Sequence, residues 1–187
     1  MPYTIYSADT APEAAREILA AAKRTYGFIP NLLGCMAGAP ALLKAYTTLS
    51  RLFDETSLEP TERQVVLLTV SHENRCGYCM AAHSVIAAMQ HVPADVIDAI
   101  RDGRPITDRR LEALRRFTVA VVSSRGWPAP EDTKAFLAAG YGPQQVLEVV
   151  LGVGMKTLSN YTNHLAETPL DNAFCKMAWG ESVGKSA

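Results

Sequence analysis

The pattern Cys76-Gly77-Tyr78-Cys79, followed four residues later by His83, places two thiols and an imidazole within reach of one another. In an α-helix of about 3.6 residues per turn, positions 76, 79 and 83 lie on one face. A helix N-terminus or a neighbouring base makes the reactive thiolate available near neutral pH. The spacing therefore predicts a redox dithiol that closes to an intramolecular disulfide and is reopened by a reductant.

The roles of the two cysteines follow from their neighbours, and two assignments remain open. His83 lies one helical step from Cys79 and can take its proton, which favours Cys79 as the thiol that attacks a hydroperoxide and Cys76 as the resolving thiol. The helix dipole acts most strongly on the first turn and favours the opposite order. Glu73 is the nearest carboxylate that could orient His83. Tyr78 is expected to pack rather than to donate a proton.

The composition is that of a single domain spanning residues 1–187. With 48% hydrophobic residues, 20% charged residues and a net charge of -1, the chain shows no electrostatic footprint for nucleic acid or a membrane surface. The N-terminal residues lack the pattern of a secretory signal, and no apolar run approaches the roughly 18 residues of a membrane span, so we expect a cytoplasmic protein. Its cysteines are then thiols, and Cys35 and Cys175 are expected to be packed and inert.

The elements that must position the dithiol are predicted to be helices. Apolar residues recur at three- and four-residue steps over residues 11–26, 31–36, 41–53, 61–72, 76–90, 93–103, 108–124, 131–139 and 144–166. The β-branched run 65–70 could equally form a buried strand, but the length of the segment and its flanks favour a helix. Thr107 is the expected N-cap of the seventh helix. Because strands and helices do not alternate, an all-α bundle is the simplest architecture.

The dithiol motif resembles a known family. Cys-x-x-Cys-x-x-x-His preceded by Glu62-Arg63-Gln64-Val65-Val66 is similar to the carboxymuconolactone decarboxylase superfamily and, within it, to the AhpD-like alkylhydroperoxidases, most strongly over about residues 42–122. The resemblance implies an AhpD-like helical bundle that assembles into trimers or hexamers. It also implies peroxidase chemistry through Cys76 and Cys79, with His83 as proton relay and no metal, flavin or other cofactor. The implied partners are a hydroperoxide and a dithiol protein or small thiol as reductant.

One departure from the family pattern concerns the proton relay. The position of the family's relay glutamate, twelve residues before the first cysteine, is Gln64 in this chain, and a neutral amide cannot accept the proton. Either Glu73 replaces it or the relay is weakened. In the last helix Lys156, Asn160 and His164 are spaced by four residues and are expected to share a face, and the segment 156–164 resembles a related branch. We therefore expect His164 to approach the site.

Four other functions compete with the peroxidase interpretation. A zinc site could draw on Cys76, Cys79, His83 and His164, although structural zinc sites usually use two paired clusters. A thioredoxin-like oxidoreductase also carries Cys-x-x-Cys at a helix start, but it requires a βαβ context. A carboxymuconolactone decarboxylase-type lactone enzyme would leave the dithiol without a role. A protein in which the pair only senses oxidation is the fourth alternative.

Overall fold

The computed structural model describes residues 3–180 of the chain. Within this range the backbone forms α-helices and one short 3₁₀ helix, and no β-strand is present. The elements are α1 (Glu13–Tyr26), α2 (Asn31–Met36), α3 (Pro40–Asp54), α4 (Pro60–Glu73), α5 (Gly77–Met89), α6 (Ala94–Arg101), α7 (Arg109–Ser123), α8 (Pro130–Ala138), α9 (Pro143–Ala166) and the 3₁₀ helix Asn172–Met177.

The predicted all-α bundle is confirmed. Each predicted helix is present with ends within two residues of those expected, whereas the 3₁₀ helix was not predicted. The run 65–70 is helical, so the strand alternative is wrong, and the βαβ context of a thioredoxin-like protein does not occur within residues 3–180. None of the helices in this range is long and apolar enough to cross a membrane.

Helix α4 lies at the centre of the bundle. Pro60 occupies its first turn, and the Glu62 side chain accepts a hydrogen bond of 2.9 Å from the backbone N–H of Glu59, which precedes the helix. The helix packs against α5, α6, α7 and α9, and residues 65–71 are all buried. A helix surrounded on every side is apolar around its whole circumference, which is why this sequence resembles a buried strand.

The turn between α4 and α5 fixes the position of the first cysteine. Arg75 has the left-handed φ of 53°, and the N–H groups of Arg75 and Cys76 donate to the carbonyls of His72 and Ser71, both at 2.9 Å. These two bonds form a Schellman motif that closes the C-terminus of α4. Cys76 consequently sits immediately before α5, and Cys79 lies in the first turn of that helix.

The N-cap of α7 is Asp108, so the prediction of Thr107 at this position is wrong by one residue. The Asp108 carboxylate accepts hydrogen bonds from the backbone N–H groups of Arg110 and Leu111, both at 2.9 Å. A carboxylate also interacts favourably with the positive end of the helix dipole, which a neutral hydroxyl cannot match.

Helix α9 approaches α3 and α4 closely at Gly152. A Cβ atom at this position would lie 2.8 Å from Val66 Cγ1 and 2.9 Å from Phe53 Cε2, closer than side chains tolerate. Further along the same helix, Lys156, Ser159, Asn160 and Asn163 are buried. The close approach therefore allows a row of polar side chains from α9 to reach the interior beside α5.

Candidate active site

Both sulfurs of the dithiol lie close together in the interior. Cys76 and Cys79 are 1% and 2% exposed, and both belong to the apolar cluster formed mainly by α1, α2 and α5. Asn163 from α9 points its Nδ2 at both sulfurs, at 3.2 Å from Cys79 Sγ and 3.8 Å from Cys76 Sγ. Both cysteines are free thiols that hydrogen-bond to each other. The structure thus brings the predicted pair together within a shell that excludes bulk water.

The pKa values of the two thiols are shifted in opposite directions. Burial raises the pKa of Cys79, but the hydrogen bond from Cys76 and the positive charge of Lys156 outweigh it, so the pKa of Cys79 lies well below its usual range. The pKa of Cys76 is raised, first by its hydrogen bond to Cys79 and then by burial. Near neutral pH the pair therefore holds one proton, with Cys79 as the thiolate and Cys76 as the thiol that donates to it.

Lys156 supplies a buried positive charge beside the dithiol. Its side chain is 0% exposed, and its Nζ has no hydrogen-bond partner of ordinary geometry within residues 3–180. Lys156 lowers the pKa of Cys79 first as a nearby charge and then as a donor directed at its sulfur. From the sequence, Lys156 was expected to share a face with Asn160 and His164, but no role was assigned to it. Its position seven residues after Val149, on the face that is apolar at the start of the helix, was the signal that could have identified it.

Tyr46 on α3 is a site residue that the sequence analysis missed. It is partly exposed and packs against the cluster that contains both cysteines. Its pKa is raised, first by burial and then by the nearby Cys79, so its hydroxyl stays protonated at neutral pH. Tyr46 lies 30 residues before the dithiol with no recognisable motif around it, so only the fold could reveal its position.

His83 is buried in contact with Gln64 rather than with a carboxylate. Its Nδ1 lies 3.1 Å from Gln64 Oε1, and Gln64 Nε2 donates to Gln90 Oε1 at 3.0 Å. Because Gln64 uses its amide N–H toward Gln90, its oxygen accepts the proton of His83 Nδ1, which leaves Nε2 as the free base. Burial and then the charge of Lys156 lower the pKa of His83 well below its usual range, so the ring is neutral. Within residues 3–180, no hydrogen bond joins it to either sulfur.

The structure does not bring Glu73 or His164 to the dithiol. The Glu73 carboxylate pairs with His72 Nδ1 at 3.2 Å, so the expected contact between Glu73 and His83 is wrong. His164 is exposed and stacks on Tyr161. Steps of four residues drift by about 40° each around a helix, so His164 lies about 80° away from Lys156 and leaves the buried face.

The Tyr78 hydroxyl links α5 to the C-terminal segment. Its hydroxyl donates to Asp171 at 2.5 Å and accepts a bond of 3.3 Å from the backbone N–H of Leu32. This placement agrees with the packing role expected for it. Of the remaining cysteines, Cys35 is buried, whereas Cys175 is exposed, so the expectation that Cys175 is packed is wrong.

The zinc alternative lacks its set of ligands. Within residues 3–180, no group of three or more His, Cys, Asp or Glu side chains is arranged to hold a metal ion. His164, which would have been the fourth ligand, lies on the outer side of α9, and the cation of Lys156 is beside the sulfurs instead.

Comparison with known proteins connects this geometry to a family. Residues 40–120 match the model of the carboxymuconolactone decarboxylase family. The matched segment contains both dithiol cysteines and His83. The AhpD-like fold that the resemblance implies is confirmed by solved structures that share it along nearly the whole chain. No curated protein matches the sequence.

Three solved structures illustrate the AhpD-like fold. An alkylhydroperoxidase AhpD core, a peroxidase-related protein from Ralstonia eutropha JMP134, is 20% identical with a TM-score of 0.83, and the match covers 94% of each chain. The debrominase Bmp8, solved with 2,3,4-tribromopyrrole, is 18% identical with a TM-score of 0.79 and 95% coverage of each chain. A peroxidase-related protein from Silicibacter sp. TM1040 is 17% identical with a TM-score of 0.77, covering 91% of this chain and 93% of its own. Two of these three structures that share the fold are named for peroxide chemistry, and the third is named as a debrominase.

Proposed function

We propose that this protein is a thiol-dependent peroxidase that reduces hydroperoxides through the Cys76/Cys79 dithiol. The observation that carries the proposal is the asymmetric pair of sulfurs. Cys79 is held as a thiolate beside the positive charge of Lys156, while Cys76 keeps a proton and lies within hydrogen-bond reach. A thiolate next to a second thiol is the arrangement needed for oxidation followed by disulfide formation.

The proposed reaction has three steps. The Cys79 thiolate attacks the terminal oxygen of a hydroperoxide, the O–O bond breaks, and the products are a sulfenic acid on Cys79 and an alkoxide that takes up a proton. The sulfur of Cys76 then attacks Cys79, forming the disulfide, and its proton leaves with the hydroxyl group as water. An external dithiol donates two electrons and two protons to restore both thiols.

Asn163 and His83 have supporting roles in this proposal. Asn163 Nδ2 contacts both sulfurs, so it holds them on the same side of α5 while the disulfide forms. His83 offers Nε2 as an uncharged base inside the site, where Gln64 fixes its tautomer. Glu73 is left out of the mechanism because it pairs with His72 at 3.2 Å.

The route of the oxidant is part of the proposal. A surface groove of about 350 Å³ is lined by Ile18, Tyr26, Leu33 and Thr47, among others. Leu33 belongs to the same cluster as the two cysteines, and Thr47 follows Tyr46 in α3. We propose that a hydroperoxide enters from this groove past Tyr46.

A peroxidase assay with matched cysteine variants tests the function. Consumption of hydrogen peroxide is followed with dithiothreitol, glutathione or a thioredoxin as reductant. The double variant Cys76→Ser, Cys79→Ser should lose activity by about 100-fold or more, because the nucleophile and its resolving thiol are gone. The control Cys35→Ser, Cys175→Ser should match the wild type. Full activity in the first double variant would refute the function.

Assembly into a homo-oligomer also remains a proposal. Four large apolar side chains on α9 are exposed in the single chain: Leu147, Val150, Tyr161 and Leu165. Exposed apolar surface of this kind favours association. Light scattering of the wild type beside the double variant Leu147→Glu, Leu165→Glu tests it: an oligomer that dissociates in the variant supports the proposal, and a monomeric wild type contradicts it.

A further inference from the structure

Three buried polar atoms on the inner face of α9 lack hydrogen-bond partners within residues 3–180: Lys156 Nζ, Asn160 Nδ2 and Asn163 Oδ1. A fourth such atom, Thr69 Oγ1, belongs to α4, which packs against α9. A fifth, Ser124 Oγ, lies apart from these at the end of α7. Leaving a buried donor unpaired is unfavourable, and more so when the donor is charged, so each such atom requires an explanation.

The orientation of Asn160 leaves its donor free. Its Oδ1 accepts a hydrogen bond of 2.9 Å from Asn74 Nδ2, so the amide nitrogen faces the interior without an acceptor. Lys156 is one turn earlier on the same face, and its charge acts on Cys79, Cys76 and His83 alike. The cationic donor of Lys156 therefore lies beside the thiolate, and Asn160 holds a second unpaired donor one turn further along the same face of α9.

Donors without acceptors beside a nucleophile suit an oxygen that becomes negative during the reaction. When a thiolate attacks one oxygen of a hydroperoxide, the other oxygen departs as an alkoxide or hydroxide. Preorganised donors in a site closed to water stabilise such a charge far more than they would in bulk water. The Cys79 thiolate cannot stabilise the departing oxygen, because it is the group that attacks the other oxygen of the peroxide.

We propose that Lys156 Nζ and Asn160 Nδ2 hydrogen-bond the departing oxygen of the hydroperoxide, with Lys156 supplying its proton. The inference rests on the proposed peroxidase function. The bond between Cys79 Sγ and the terminal oxygen forms as the O–O bond breaks, sulfur is oxidised to the sulfenic acid, and the peroxide is reduced. The departing alkoxide takes a proton from the Lys156 ammonium and leaves as an alcohol, or as water when hydrogen peroxide is the substrate; solvent then returns the proton to the lysine.

The enclosure of these donors defines the substrate class. Lys156 is 0% exposed and the two sulfurs are 1% and 2% exposed, so a departing oxygen that reaches Lys156 carries its substituent into the closed interior. Hydrogen peroxide and short alkyl hydroperoxides therefore fit the site, and aryl or long-chain lipid hydroperoxides do not.

Lys156 could act by stabilising the departing oxygen or by lowering the pKa of Cys79. Two reactions of the same thiolate distinguish these effects. Oxidation by hydrogen peroxide needs a stabilised departing oxygen, whereas alkylation by iodoacetamide releases iodide and does not. Both rate constants are measured over a range of pH and divided by the thiolate fraction. In Lys156→Met, the corrected peroxide rate should fall by about 10-fold or more, while the corrected alkylation rate should change by less than about threefold.

Controls make each outcome decisive. Lys134→Met, which removes an exposed lysine on α8, should leave both rates unchanged. Asn160→Asp keeps the acceptor for Asn74 and removes the free donor, so it should lower the corrected peroxide rate even if the lysine variant fails to fold. Equal changes in both reactions, or none in either, would contradict the proposed roles of Lys156 and Asn160 and leave the proposed peroxidase function intact. A wild-type protein that alkylates readily but resists peroxide would instead overturn the proposed function.

The substrate class has its own comparison. Hydrogen peroxide, tert-butyl hydroperoxide and cumene hydroperoxide are reacted with the reduced wild-type protein under identical conditions. The rate constants should fall in that order, by about 10-fold or more between the first and the last, because the bulk near the departing oxygen increases. A cumene hydroperoxide rate equal to or above that of hydrogen peroxide would contradict the proposed class.

Discussion

Gln64 Oε1 lies 3.1 Å from His83 Nδ1, and this contact determines which nitrogen of the buried imidazole is free. The sequence shows only that an amide occupies the position of the family's relay glutamate. The structure shows that the amide accepts the Nδ1 proton of His83 and is itself held by Gln90 at 3.0 Å. An amide fixes the tautomer without stabilising the imidazolium, so His83 stays neutral where a carboxylate partner would favour its charged form.

Replacing the amide by a carboxylate should therefore change the charge of the ring. In Gln64→Glu, we expect the pKa of His83 to rise, because a buried carboxylate stabilises the imidazolium. NMR titration of the ring protons, assigned with His83→Asn, measures the shift. Gln144→Glu, an exposed change on α9, serves as control and should leave it unaltered. An unchanged His83 pKa in Gln64→Glu would show that the contact does not govern the ring.

Stability of the reduced protein should rise with pH in two windows. The pKa of His83 is lowered in the folded state, so only the unfolded state takes its proton below about pH 6.5, and stability is lost as the pH falls. The pKa of Cys79 is also lowered, so the unfolded state holds a proton that the folded state has released, up to about pH 8.5. Each group contributes a slope of at most about 1.4 kcal/mol per pH unit.

Urea denaturation between pH 5 and pH 9 under reducing conditions measures both contributions. Cys79→Ser should remove the rise between about pH 7 and 8.5, and His83→Asn should reduce the slope below about pH 6.5, where both groups contribute. Cys35→Ser is the matched control below about pH 8, because burial raises the pKa of Cys35 and its thiol is protonated in both the folded and the unfolded state there. A Cys79→Ser profile parallel to that of the wild type would show that Cys79 is not a thiolate in the folded protein.

The close approach of α9 to the core predicts opposite effects at two glycines of one helix. Gly152→Ala should destabilise the protein by about 1–2 kcal/mol, because overpacking against Phe53 and Val66 exceeds the gain in helix propensity. Gly154→Ala should stabilise it by about 0.5–1 kcal/mol, since nothing lies within 4 Å of an added Cβ. Chemical denaturation measures both, and equal shifts would contradict the described packing.

The left-handed residue before the dithiol predicts a stabilising change. Arg75 has a φ of 53°, a conformation that glycine adopts without the penalty paid by other residues. We expect Arg75→Gly to raise the free energy of unfolding by about 0.5–1 kcal/mol, and Arg75→Ala, which keeps the strain, to give no gain. Thermal and urea denaturation compare them; stabilisation by alanine as well would assign the effect to the lost arginine side chain.

The helices and the dithiol could be predicted from the sequence because their signals are local. Spacings of three and four residues define the helices, and the spacing of Cys76, Cys79 and His83 lies within one short segment. The partners of these residues are distant in sequence: Gln64, Lys156 and Asn163 reach the site only through the packing of α4 and α9 against α5. The assignment of Glu73 failed because proximity in sequence does not determine which way a side chain at the end of a helix points.

The placement of His164 failed for a geometric reason. A four-residue step is close to one helical turn but not equal to it, and the difference accumulates from Lys156 through Asn160. Asn163, which lies almost directly above Lys156 after seven residues, is the side chain that contacts both sulfurs. On α9, the angular position of a residue around the helix axis therefore predicts which side chains reach the sulfurs better than a spacing of four residues does.

Mass spectrometry after limited oxidation tests the central claim most directly. The reduced protein is treated with one equivalent of hydrogen peroxide, quenched and digested with trypsin, which cleaves after Arg75 and Arg101 and leaves both dithiol cysteines on one peptide. We expect the loss of two hydrogens from that peptide, with Cys35 and Cys175 unmodified. A peptide that stays fully reduced, or that carries a sulfonic acid on one cysteine and no disulfide, would contradict it.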